Sequence, residues 1–175
     1  TLSALGVDMN GAVDPGGIDA EITFSTGFLP NFDFDPTDGI STGRLDFFAI
    51  VVHEIGHALG FTSNVDLYDF YVDQGVAISS GPTVLDLFRI LPGQGGNFTF
   101  ATRILTHGGE VPAQTFYDGV IERRLSTGSF NGDGRQASHW RADEISGSAI
   151  GIMDPTISSG QLGKLTNSDV RAFGL

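Results

Sequence analysis

Polar and apolar residues alternate over "AEITFS" (20–25), with Ile22 and Phe24 on one side and Glu21 and Thr23 on the other. A period of two predicts a strand there. Turn-forming residues dominate the next stretch, "PNFDFDPTDGISTG" (30–43). The pattern then changes period. Phe47, Phe48, Ile50, Val51, Val52, Ile55, Ala58 and Leu59 nearly encircle a helix predicted over about 45–60, as in a helix buried on every side. Gly60 is placed to end it in the left-handed conformation. Beyond it, "GPTVLDLFRI" (81–90) suits a short helix, while "NFTFATRI" (97–104) and "QTFYDGVIERRL" (114–125) read as strands or hairpin arms. "STGSFNGDGRQ" (126–136) is loop, and Thr166 with Asp169 forms a capping box that starts a short terminal helix.

These elements predict an α+β fold. No repeat or linker interrupts the 175 residues, so a single domain over 1–175 is expected. Hydrophobic residues make up 40% of the chain and include 14 Phe, enough for a packed core. The formal net charge of -12 argues against nucleic acid, whose phosphates require a Lys/Arg surface, and disfavours anionic membranes. No apolar run approaches the roughly 18 residues of a membrane span. The chain has no cysteine, which excludes a disulfide framework and a thiolate metal site. No charged-then-apolar leader is visible at Thr1, so any export signal is expected to be missing from these residues.

The predicted helix carries "HEIGH": His53, Glu54 and His57. Residues four apart share a helix face, so the two imidazoles can bind one zinc ion with the Glu54 carboxylate beside it. Zinc lowers the pKa of a bound water to about 7 and polarises a scissile carbonyl, and in such a site Glu54 would be the general base that takes the proton. A catalytic zinc site usually has three protein ligands. The remaining histidines are His107, in "LTHGGE", and His139, in "QASHWRADE"; Met153, in "IGIMDP", follows His139 by 14 residues.

The order "HEIGHALGF", a long insertion, "SHW" and "IMDP" resembles the leishmanolysin-like branch of the metzincins. The chain is also similar to bacterial secreted metalloproteases carrying "FDFDPTDGI", "PTVLDLFR" and "GDGRQASHW" in this order. Short metzincin motifs place His or Asp where this chain has Ser63; in the interrupted branch the third histidine arrives later. The resemblance implies His53, His57 and His139 as zinc ligands, Glu54 as the base, and Met153 as the floor of the site. It implies a secreted, extracellular zinc endopeptidase acting on proteins or peptides. The metzincin-like fold it implies packs a small mixed sheet on the active-site helix. In it, residues 1–60 form an upper part, 61–137 an insertion, and 138–175 the third ligand, Met-turn and final helix. The alternatives are an acidic third ligand (Glu110, Glu122 or Glu144), as in gluzincins, or a non-catalytic zinc or calcium surface module.

Asp33, Asp35 and Asp38 put three carboxylates within six residues, an arrangement that calcium can use. Asp-Pro and Asp-Gly are equally ordinary turn chemistry. Asp66, Asp69 and Asp73 read as a solvated face, Asp86 with Arg89 as a structural ion pair, and Trp140 as an aromatic that fixes the segment around His139.

Overall fold

The computed structural model describes residues 20–105 and 113–174, and within them the protein is a small mixed α+β structure. His107 and Glu110 lie outside the described residues. Strands β1 (Phe32–Asp33) and β2 (Leu45–Asp46) form a parallel pair. Helix α1 (Phe47–Ala58) leaves β2 directly. Asp46 caps it, one carboxylate oxygen accepting from Ala49 N (3.0 Å) and the other from Gly163 N (3.1 Å). Gly60 (φ 108°) ends it as predicted. The N–H groups of Gly60 and Phe61 donate to the carbonyls of His57 and Gly56, both at 3.0 Å, which closes a Schellman motif.

Helix α1 is not buried on every side. Ala49 and Gly56 face inward, whereas Phe48, Ile55 and Leu59 lie along an exposed face. Residues 20–25 form no strand; Phe24 leans on the Phe47 ring (5.2 Å between centroids), and among the described residues its backbone has no partner strand.

Helix α2 (Val65–Asp73) was not anticipated. A 3₁₀ turn at Leu85–Phe88 leads into β3 (Arg89–Ile90), which pairs antiparallel with β4 (Gln114–Tyr117), itself paired with β5 (Glu122–Leu125). The hairpin expected over 114–125 is therefore present, with Gln114 opposite Leu125. Residues 97–104 are not a strand. Arg103 turns back over the Phe98 ring (4.3 Å) and donates to the carbonyls of Leu87, Phe98 and Ala101, drawing that backbone into a compact loop. Helices α3 (Asp143–Ser146) and α4 (Asn167–Phe173) complete the described chain. The capping box of α4 forms as read, through Thr166 and Asp169.

The core joins these pieces around Trp140. Its ring meets Phe61 edge-on at 4.8 Å and Phe116 at 5.6 Å, with Leu85, Leu125, Ile152 and Met153 packed about them. Leu125 and Trp140 also form an antiparallel bridge, so the segment from 139 to 141 runs alongside β5. That placement decides where His139 points.

Candidate metal centre

Three imidazoles converge above α1. His53 and His57 project from successive turns of the helix, and His139 approaches from the segment beside β5. His53 Nε2 lies 3.1 Å from His57 Nε2 and 3.2 Å from His139 Nε2. The three ring centroids are 4.8–5.1 Å apart, so the triangle is nearly regular.

The opposite edge of each ring meets a backbone carbonyl. His53 Nδ1 donates to Ile152 O (2.8 Å), His57 Nδ1 to Phe61 O (2.8 Å) and His139 Nδ1 to Gln136 O (3.1 Å). A carbonyl can only accept, so each Nδ1 carries the proton and, in the neutral ring, each Nε2 presents a lone pair. Burial favours that neutral form. It holds His53 below its ordinary pKa, and it lowers His139 to about 4 with help from the neighbouring His53 and His57. Three lone pairs aimed at one point repel each other unless a cation sits between them. Nitrogen ligands about 2.0–2.1 Å from a tetrahedral ion stand about 3.3 Å apart, close to the separations seen. The donor set thus fits a single metal ion.

The supporting contacts come from three regions of the chain. The Schellman turn after α1 aims Phe61 O back at His57. Met153 is fully buried, and its Sδ rests where a side chain on Gly56 would go, between the turns carrying His53 and His57. The Met153 carbonyl accepts from Trp140 N (2.9 Å), which links the methionine turn to the residue after His139. Asp169 was legible only as a helix cap, yet its buried carboxylate also accepts from Trp140 Nε1 (2.7 Å), Ile152 N (2.9 Å) and Met153 N (3.4 Å). It therefore holds the peptide whose carbonyl orients His53.

Glu54 is half-buried and, with His53, lines an open cavity of about 430 Å³. Ala49, Ile50, Ile152 and Leu162 supply apolar wall, and Asp154 lies among the polar lining residues. Burial raises the Asp154 carboxyl from 3.8 to about 6.

The acidic residues fall elsewhere. Asp33 accepts from Asp35 N (3.0 Å) and Ser41 N (2.8 Å), and Asp35 accepts from Thr37 N (3.1 Å), so both serve the turn. Among the described residues, Asp33, Asp35 and Asp38 do not gather into a ligating group. Glu122 accepts from Gly93 N, and Glu144 groups with Asp143 and Asp154 rather than with the histidines. Asp69 is buried and Asp66 binds the backbone of Ser129 and Ala137, so of the three aspartates of helix α2 only Asp73 is exposed as read.

Comparison of the chain with protein-family models, with curated proteins and with solved structures returned no match. What the residues themselves establish is a group of three histidines, His53, His57 and His139, that could bind a metal ion.

Proposed function

We propose that the protein is a zinc-dependent endopeptidase of metzincin type, with His53, His57 and His139 as ligands and Glu54 as general base. The observation that carries this reading is the convergence of three Nε2 lone pairs, with one of those histidines, His53, and its neighbour Glu54 also lining an open cavity. A purely structural zinc site has no use for that carboxylate or that opening. Bound there, zinc supplies Lewis acidity to a peptide carbonyl and lowers the pKa of a water to about 7. Glu54, one residue from His53, accepts the proton at its carboxylate and returns it to the departing amine. The apolar cavity wall gives a peptide side chain a place beside Glu54. Met153, packed under the helix, keeps the imidazole pair from sinking toward the core. An extracellular setting belongs to the same reading and accords with a charge of -12.

The test is Glu54→Gln in zinc-loaded protein against a mixed peptide library. Zinc content stays at one equivalent, and turnover falls about 10²–10⁴-fold. Full turnover in the variant rules out the assigned base, and a wild-type protein that takes up no zinc rules out the reading altogether.

A further inference from the structure

A third ligand 82 residues downstream of His57 needs something to set its distance from the helix. We propose that Ser63, with the buried Asp86–Arg89 pair and Asp66, is the positioning device that brings His139 into register with His53 and His57. The proposal rests on the zinc-site reading above and concerns residues that touch no substrate.

The connections run from one side of the site to the other. Ser63 lies two residues after Phe61, whose carbonyl holds His57. Its hydroxyl donates to Asp86 Oδ1 (2.6 Å), and its N–H donates to the Ser138 hydroxyl (2.9 Å), one residue before His139. Asp86 Oδ2 accepts from Asn64 N and Thr83 N, both at 3.0 Å, so this carboxylate ties the segment leaving the helix to the turn before Asp86.

Across the pair, Asp86 Oδ1 stands 3.7 Å from Arg89 Nε, with both side chains wholly buried. The guanidinium donates to Ala137 O (2.6 Å), Ser126 O (2.9 Å) and Gln114 Oε1 (2.6 Å). Asp66 Oδ2 accepts from Ala137 N (2.7 Å). The peptide unit joining Gln136 and Ala137 is therefore held by Asp66 at its N–H and by His139 Nδ1 at its carbonyl. Ionised groups make the stronger hydrogen bonds, and in a buried setting they fix backbone more rigidly than a solvated loop could. A short loop would reach the metal by itself; here the charges of Asp86, Arg89 and Asp66 and one serine hydroxyl set its place. Ser63, standing where the shorter motif has a ligand, becomes the knot between the two segments.

Partners that orient metal ligands typically change metal affinity about 10–100-fold when removed. The test compares zinc affinity by chelator competition, and the visible spectrum of the Co(II) form, in wild-type protein, Ser63→Ala, Ser63→Thr, Ser138→Ala and His139→Ala. Ser63→Ala and Ser138→Ala are expected to lose about tenfold or more in zinc affinity at a temperature where circular dichroism shows them fully folded. Their Co(II) bands should shift toward those of His139→Ala. Ser63→Thr, which keeps the hydroxyl, should restore wild-type affinity and spectrum. Unchanged affinity and spectrum in both alanine variants, even with a lowered melting temperature, would make the network merely structural and overturn the proposal. Failure of the wild type to bind zinc would instead remove the site reading on which it stands.

Discussion

Gly56→Ala sets two effects of opposite sign against each other inside the helix that carries both ligands. Alanine in a helix interior is favoured over glycine by about 1 kcal/mol, so local propensity predicts a more stable protein. The packing predicts the reverse. A Cβ at Gly56 falls on Met153 Sδ and approaches Phe173 Cζ and Cε1 at 3.0 and 3.1 Å. Met153 is fully buried, so its sulfur cannot swing into solvent and must displace core neighbours. Overpacking of this kind costs about 1–3 kcal/mol. Two side chains must give at once, which puts the cost in the upper part of that range. The net expectation is a loss of about 1–2 kcal/mol, with weaker zinc binding because the floor beneath the imidazoles has moved. Urea unfolding of the metal-free protein measures it, as a lowered midpoint at unchanged slope. A variant that gains about 1 kcal/mol would mean that propensity acts alone, and that Met153 does not pack beneath the helix.

Zinc binding only to the folded state should stabilise it by about 4 kcal/mol when free zinc is 1,000 times the dissociation constant. A melting temperature that rises with zinc, falls with chelator and barely responds in His139→Ala supports the three-histidine centre; no response in the wild type refutes it. The Asp154 carboxyl, raised to about 6 against 3.8, gives a pH signature. Folding favours its protonated form, so its contribution is full below pH 3.8 and is lost as pH rises through about 6. The stability difference between wild type and Asp154→Asn should therefore shrink by at most about 3 kcal/mol between pH 4 and pH 7. A flat difference over that range would mean the carboxyl is not desolvated.

Local patterning was enough for those features whose causes are local. The histidine helix, its glycine stop, the hairpin over 114–125 and the Thr166–Asp169 box each depend on residues within a few positions of one another. The same reasoning failed where the deciding partner was distant. Residues 20–25 alternate correctly, but a strand needs a neighbour. The all-round apolar pattern of α1 predicted burial on every side, yet the surrounding elements cover only one face. Helix α2 was obscured by three aspartates; Asp69 is buried and Asp66 receives two backbone N–H groups from residues 129 and 137.

The site divides along the same line. Sequence alone determined that two imidazoles and a carboxylate share one helix, because spacing of four on a 3.6-residue turn is a local fact. It also supplied the resemblance that nominated His139 and Met153. The tertiary structure alone decided that His139 Nε2 arrives 3.2 Å from His53, and that each Nδ1 is tied to a carbonyl. Those carbonyls belong to three separate segments, held together by Asp169 on one side and by Asp66, Asp86 and Arg89 on the other. A charge that serves a peptide group tens of residues away leaves no period in the chain. Only the packed protein brings it and its partner together.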